Sequence, residues 1–281
     1  MGDHYLPQHY LKGFATNERF WVHDLELGKS RPGQPKTEAN VNGLWPGELE
    51  KHLAQKIEGP AIDIINRIRQ RQPVEADEKV VLATYLLTMW KRVPAARERM
   101  ANHIPDVADG IRADYFQLVD HSAARDELTV EAATASKELI AAHLEIAIAN
   151  KPDYYWHYTL RDGATPRMMD ALRAMDWTFL VSDSDPFLTC DDPLFFFTQM
   201  GVGRDASELS IPLSTTITLL AHRQGEQRQQ FRAARHSTVV QLNRRTAFNA
   251  RRFMYSEMPL EWALKIGARK IRPSRIKLSS A

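Results

Sequence analysis

The first turn of the chain brings together side chains that could do chemistry. Its sequence, HYLPQHYLKGF over residues 4–14, carries His4, Gln8 and His9 around Pro7. Pro7 favours the start of a helix that contains Gln8 and His9, whose side chains leave the helix axis about 100° apart. All three side chains therefore converge only if the turn before Pro7 folds His4 back. Two interpretations stay open: a catalytic or ligand-binding His4 with Gln8, or a helix end packed in the core. His9 is the poorer candidate of the two histidines.

Two acidic residues and an arginine farther along the chain could complete such a site. Glu50 and Glu58 lie eight positions apart, which is about 80° of helical rotation, so both can face one side. Arg92 ends a strongly apolar helix, and a guanidinium that emerges from apolar packing needs a carboxylate or a phosphate. This pattern fits a buried ion pair, or a phosphate clamp beside a carboxylate that binds Mg²⁺ or acts as a base.

A strand-like segment, PFLTC, ends at two aspartates, Asp191 and Asp192. A carboxylate at a strand end is typical of ligand and metal sites. A turn in which Asp191 accepts hydrogen bonds from the backbone is equally consistent with the sequence. If the site uses a divalent metal such as Mg²⁺, we expect Asp191 and Glu58 to be its ligands. Cys190 is interpreted as a small buried side chain.

The C-terminal segment is basic although the whole chain has a net charge of only +2. Residues 222–281 contain 14 Lys or Arg against 3 Asp or Glu. Such asymmetry favours a surface for phosphate-rich partners, or a basic segment that folds onto an acidic body and neutralises it. The candidate substrate contacts in this segment are Asn243, Arg244, Arg245 and Arg251.

The elements that must position these residues form two groups. Helical periodicity starts near Glu48, and the most apolar helix, DEKVVLATYLLTMWKR, should end or kink at Pro94. Strand-like alternation appears at RFWVHDLE, residues 19–26, and again in the second half of the chain. Further helices are predicted around residues 104–119, 129–149 and 165–176, and strands at WTFLVS, PFLTC, LFFF, SIPLSTTITLLAH and STVVQLN, followed by a short helix at RRTAFNARR.

This order predicts an α+β fold: a helical middle with a mixed or antiparallel sheet formed mainly by the C-terminal half plus an N-terminal strand. We expect a single domain over residues 1–281, with a helical layer at about 48–176 and a sheet-rich layer at about 177–256 with 4–26.

Bulk composition narrows the class of protein. The chain has 281 residues, of which 43% are hydrophobic and 26% charged, as in ordinary globular proteins. One cysteine excludes an internal disulfide framework and a cysteine-rich zinc site. Neither a signal-peptide core nor an apolar run of about 20 residues is present, so we expect a cytoplasmic protein without a membrane partner. Its oligomeric state cannot be read from the sequence.

Two motifs, HYLPQHYLKGFA at residues 4–15 and PFLTCDDP at residues 186–193, are similar to "HYVPQxYLRxFA" and "pFitSDNP" in a mostly bacterial family. That family is catalogued as domain of unknown function 4238, and the resemblance covers about residues 4–256. Ser-Asp-Asn-Pro is replaced here by Cys-Asp-Asp-Pro, and the family implies no established activity. Further similarities are Glu50 with Glu58, Arg92-Val93-Pro94, Ile211-Pro212-Leu213-Ser214, Leu242-Asn243 and Tyr255-Ser256.

The leading functional hypothesis is a metal-assisted hydrolase, either a nuclease or a nucleotide phosphohydrolase. A role in defence would fit this hypothesis, although no residue requires it. The hypothesis requires the N-terminal turn and the Asp191 turn to share one solvent-reached hollow. The alternative is a non-catalytic nucleic-acid-binding or protein-interaction module that uses the basic C-terminal segment. The candidate catalytic residues are His4, Gln8, Glu58, Arg92 and Asp191.

Overall fold

The computed structural model describes residues 2–150, 152–161, 166–197, 204, 207–222 and 230–276. The fold is α+β with a helical middle, as predicted. The chain divides into two compact units, one formed by Met1–Val93 with Leu160–Ala281 and the other by Pro94–Thr159. The expectation of a single domain stays a prediction.

The first part of the chain forms short strands and then a run of helices. Its elements are β1 (Asp3–His4), α1 (Gln8–Leu11), a 3₁₀ turn (Lys12–Phe14), β2 (Phe20–Asp24), β3 (Lys29–Gly33), β4 (Asn40–Val41), α2 (Gly47–His52), a π-helical segment (Leu53–Glu58), α3 (Gly59–Arg69) and α4 (Glu78–Arg92). The π-helical segment joins α2 to α3 and ends directly before Gly59-Pro60.

The second compact unit holds α5 (Pro94–Ala124), α6 (Val130–Asn150) and most of α7 (Pro152–Arg161). Val93 is extended and Pro94 opens α5, so the proline does end the buried helix α4. No helix in the described ranges is both long and apolar enough to span a bilayer.

The remaining elements return to the first unit. They are α8 (Pro166–Arg173), β5 (Asp176–Val181), β6 (Thr189–Cys190), β7 (Phe195–Phe196), β8 (Glu208–Pro212), β9 (Ile217–His222), β10 (Phe231–Ala233), α9 (His236–Asn249), β11 (Phe253–Ser256) and α10 (Glu261–Arg269).

Strands from both ends of the chain share a sheet. A five-stranded sheet has the order β10-β5-β9-β8-β7, and only the β10–β5 pair in it is parallel. A four-stranded antiparallel sheet has the order β3-β2-β11-β6, and its register places Tyr255 opposite Val22 and Met254 opposite Cys190. Strand β2, near the N-terminus, therefore lies in one sheet with β6, the strand that precedes Asp191.

One strand prediction is wrong. STVVQLN lies within α9, and the predicted short helix that follows it is the continuation of α9. Val239, Leu242 and Thr246 are buried three and seven positions apart, which is the spacing of one helical face. A short β-branched run is ambiguous between strand and helix, and burial against neighbouring elements decides here.

Candidate functional site

The structure gathers several of the sequence-predicted residues into one group in the first unit. We call it the N-terminal cluster and define it as His4, His9, Glu58, Tyr85 and Arg92. His4 ends β1, His9 is the second residue of α1, and Glu58 ends the π-helical segment. Tyr85 and Arg92 lie on α4 seven positions apart, so two helical turns place them on the same face.

Arg92 is the centre of the N-terminal cluster. Its side chain is 1% exposed and its guanidinium binds the Glu58 carboxylate and the His4 carbonyl oxygen. Glu50 lies 3.9 Å away and accepts a 2.6 Å hydrogen bond from the indole of Trp45, whose ring lies 5.4 Å from the guanidinium. These contacts match the buried ion pair, and they leave only Nε of Arg92 without a hydrogen bond.

The imidazole of His4 is packed rather than open. Residue His4 is 8% exposed, and its Nε2 lies 3.1 Å from the carbonyl oxygen of Lys36. The ring therefore anchors β1 to the connection between β3 and β4, as in the interpretation in which His4 packs in the core.

His9 has the arrangement that the sequence led us to expect of His4. Its Nδ1 lies 3.7 Å from Oε2 of Glu58, and its ring centroid is 5.5 Å from that of Tyr85. Its Nε2 is buried and has no hydrogen bond to any described residue. The pKa of His9 is lowered to about 4, chiefly by burial and to a smaller extent by Arg69 and Arg92, against the opposing effect of Glu58. His9 is therefore neutral at physiological pH.

Tyr85 adds a second buried polar group beside His9. Tyr85 is 1% exposed, its hydroxyl has no hydrogen bond to a described residue, and burial raises the pKa of the hydroxyl well above its usual value. Within the part of the chain that the structure describes, the cluster thus contains three buried polar atoms without hydrogen-bond partners: Nε2 of His9, Oη of Tyr85 and Nε of Arg92. Because buried polar atoms in proteins are nearly always hydrogen-bonded, such a concentration around one carboxylate is unusual.

The cluster reaches solvent along one edge. The side chains of His9 and Glu58 are 16% and 15% exposed, and that of Glu50 is 36% exposed. Gln8 is half-buried at the same turn, and its amide makes no hydrogen bond within the described part of the chain.

Asp191 belongs to a different local arrangement. Its Oδ1 accepts a hydrogen bond from the backbone N–H of Arg251 at 2.8 Å, and its Oδ2 accepts those of Arg252 and Phe253 at 2.7 and 2.9 Å. Burial raises the pKa of this carboxyl, and the three N–H groups oppose that shift. Both oxygens therefore hold the turn before β11, as in the backbone-binding interpretation.

The N-terminal segment and the strand before Asp191 are nevertheless neighbours. The hydroxyl of Tyr10 lies 2.6 Å from Oγ1 of Thr189 and donates to the carbonyl oxygen of Pro212 at 2.8 Å. No hydrogen bond or ion pair joins Asp191 to the N-terminal cluster in the described ranges. Nor does any group of three or more His, Cys, Asp or Glu side chains there have the geometry to hold a metal ion. The Asp191–Glu58 metal site stays a prediction.

The candidate contacts on the basic segment separate into two kinds. Arg245 is 1% exposed, forms an ion pair with Glu208 and lies near the rings of Phe195 and Phe197, 5.1 and 5.4 Å away. Asn243 and Arg244 line an open cleft along α9, whereas the backbone of Arg251 binds Asp191. Arg245 therefore stabilises the fold, and Arg244 is available to a ligand.

Sequence reasoning missed His9 and Tyr85 as members of the cluster. Their link to Glu58 joins three separate helical elements, so no local spacing reveals it. The sequence feature that could have indicated His9 is its position beside Gln8 in the HYLPQHYLKGF segment.

In a comparison with protein families, a model described as "Protein of unknown function (DUF4238)" matches residues 3–258. No curated protein and no solved structure matches the chain.

Proposed function

We propose that this chain, which belongs to the DUF4238 family, is a hydrolase of phosphodiester or nucleotide substrates. The reaction takes place at the N-terminal cluster. The carrying observation is the set of three unpartnered buried polar atoms around Glu58. A bound substrate with its attacking water would supply partners for these atoms. The water would donate a proton to His9, and the phosphoryl oxygens would accept hydrogen bonds from Tyr85 and Arg92.

His9 is the proposed general base. The Glu58 carboxylate near Nδ1 favours the tautomer with its proton on that nitrogen, which leaves the lone pair of Nε2 to accept a proton from water. With a pKa of about 4, this imidazole is in the required neutral form at physiological pH. As the water oxygen bonds to phosphorus, Nε2 of His9 takes the proton of the water and the bond to the leaving oxygen breaks. The leaving oxygen takes a proton from solvent, and His9 returns its own proton to solvent afterwards.

Tyr85 and Arg92 are the proposed hydrogen-bond donors to the phosphoryl oxygens. The raised pKa keeps the Tyr85 hydroxyl protonated, and Nε is the nitrogen of the Arg92 guanidinium that makes no hydrogen bond within the described ranges. Donors fixed in a site of low dielectric stabilise developing negative charge more effectively than water does. A divalent ion such as Mg²⁺ remains a predicted cofactor, with Glu58 as the carboxylate of the cluster that could bind it.

The alternative prediction, a nucleic-acid-binding module on the basic segment, has less support. Arg252 forms ion pairs with Asp24 and Glu26, and Arg245 forms one with Glu208. These pairs fit a basic segment that neutralises an acidic body, and they reduce the positive charge offered to a polyanion.

The test compares two buried histidines. His9→Gln removes the proposed base, whereas His23→Gln changes a histidine of similarly lowered pKa whose two ring nitrogens already bind Ser30 and Ser256. Hydrolysis of bis(p-nitrophenyl) phosphate and of nucleoside phosphates is measured with and without Mg²⁺ or a chelator, and activity is expressed per folded protein by circular dichroism.

We expect His9→Gln to lower kcat by about 10²–10⁴-fold, the usual contribution of a general base, and His23→Gln to retain the wild-type value. The wild-type rate should rise as the pH passes about 4 and then stay level, because the base must be neutral. Full activity in His9→Gln, or a wild-type protein that hydrolyses none of these esters under any metal condition, refutes the proposal.

A further inference from the structure

A cleft of about 320 Å³ runs along α9 in the first unit, and we call it the α9 cleft. One wall is a face of α9 that carries His236, Val239, Val240, Asn243 and Arg244, at the three-, four- and seven-residue spacing of a single helical face. The opposite side is formed by the Asp185–Pro186 segment and by Trp262 and Ile266 of α10. Its volume falls at the lower end of the range for small-molecule sites, roughly 300–1,000 Å³.

The α9 cleft is held open by a fixed wall. Oδ1 of Asn243 accepts a hydrogen bond from the backbone N–H of Leu188 at 2.9 Å, and its Nδ2 donates to the carbonyl oxygen of Pro186 at 2.9 Å. Asn243 is 3% exposed, so these bonds tie the Pro186 segment to α9 from inside the protein. A ligand would therefore meet a preformed surface and would lose little affinity to ordering it.

Chemically distinct groups occupy different positions along the cleft. Arg244 is half-buried, and its guanidinium has neither an acidic partner nor a hydrogen bond within the described part of the chain. Eight positions earlier, and thus about 12 Å away along the helix axis, Nδ1 of His236 lies 3.1 Å from Oδ1 of Asp185. Trp262 is 37% exposed and offers an aromatic face between apolar neighbours.

We propose that the α9 cleft binds a nucleoside monophosphate, with its phosphate on Arg244, its base against the indole of Trp262 and its ribose hydroxyls at the Asp185–His236 pair. A guanidinium without a protein partner is suited to a phosphate, which it can bind through two parallel hydrogen bonds. Base stacking on an exposed aromatic ring is strong and tolerates any base. The cleft is too small for a nucleic-acid strand, so a free mononucleotide is the ligand.

This site is separate from the proposed hydrolytic cluster and does not require it. The residues of the α9 cleft come from α9, α10 and the Asp185–Pro186 segment, whereas the N-terminal cluster is built from β1, α1, the π-helical segment and α4. Binding at the cleft can therefore be measured in His9→Gln, and failure of one proposal leaves the other intact.

The experiment is titration of the full chain with AMP, GMP, CMP and UMP by calorimetry and by tryptophan fluorescence. Adenosine, ribose 5-phosphate and inorganic phosphate are the partial ligands. The test variants are Arg244→Gln and Trp262→Leu, and the control is Arg269→Gln, which removes the same charge from an exposed position of α10 outside the cleft. Thermal unfolding of each variant establishes that it is folded.

We expect all four nucleotides to bind and to quench fluorescence. Arg244→Gln and Trp262→Leu should each weaken binding by about tenfold or more, and Trp262→Leu should abolish the quenching. Arg269→Gln and His9→Gln should bind as the wild type does. Absence of nucleotide binding to the wild type overturns the inference. So does unchanged affinity in Arg244→Gln, or ribose 5-phosphate that binds as tightly as AMP with no effect of Trp262→Leu.

Discussion

Replacing Asp191 with asparagine separates the two interpretations of this residue. If Asp191 is a metal ligand or a catalytic group, the Asp191→Asn protein should lose activity with little change in stability. If Asp191 mainly accepts hydrogen bonds from three backbone N–H groups, the variant should lose stability, because asparagine keeps the shape of the side chain but replaces one acceptor oxygen with a donor.

The size of the effect follows from the three bonds. The best orientation of the amide keeps its oxygen on the N–H groups of Arg252 and Phe253 and turns its NH₂ group towards the N–H of Arg251. One buried donor left unsatisfied costs about 1–3 kcal/mol, and two charge-assisted bonds that become neutral lose roughly 0.5 kcal/mol each. Relief from burying a charge offsets part of this loss. We expect the free energy of unfolding to fall by about 2–3 kcal/mol.

Urea denaturation followed by far-UV circular dichroism and tryptophan fluorescence measures this change. Asp63→Asn is the matched control, since it removes the same charge from an exposed position of α3 and should change stability by less than about 0.5 kcal/mol. If Asp191→Asn unfolds at the wild-type urea concentration, the three hydrogen bonds do not carry the stability assigned to them. Loss of hydrolysis at full stability would restore the catalytic interpretation.

Two further outcomes test the packing around the N-terminal segment. His9 and His23 have pKa values lowered to about 4 by burial, so the unfolded chain binds more protons than the native chain between pH 4 and 6.5. The free energy of unfolding should therefore fall on acidification across that window by about 3 kcal/mol for each histidine. Urea unfolding of the wild type and of each His→Gln variant along that pH series measures this fall, and a flat profile contradicts it. Gly13→Ala should destabilise by about 1–3 kcal/mol because a Cβ there would lie 2.5 Å from the carbonyl oxygen of Leu213; thermal and urea unfolding measure it, and an unchanged midpoint excludes the close approach as the reason for glycine.

Local sequence signals predicted the elements that carry the site better than the contacts within it. The apolar pattern of α4 and the proline after it placed Arg92 at a helix end, and the need of a buried guanidinium for a carboxylate anticipated its pairing with Glu58. Gly13 follows α1 and carries the local signal of a helix end, whereas a Cβ at this position would meet the backbone of Leu213, 200 positions later in the chain. A glycine required by a tertiary approach gives the same local signal as one required by a helix end.

The comparison of His9 with His23 explains why the proposed hydrolytic site could not be located from the sequence. Burial lowers the pKa of both histidines to about 4. Their partners differ: His23 has a serine hydroxyl at each ring nitrogen, whereas His9 has a carboxylate 3.7 Å from Nδ1 and, among the described residues, no hydrogen bond at Nε2. The fold thus gives His23 all its hydrogen bonds but leaves Nε2 of His9 and the neighbouring Tyr85 hydroxyl without any in the described part of the chain, and burying unbonded polar atoms there costs free energy. Such local departures from complete hydrogen bonding are expected where a protein binds or transforms something, and this physical reason directs the functional proposal to His9 rather than to His23.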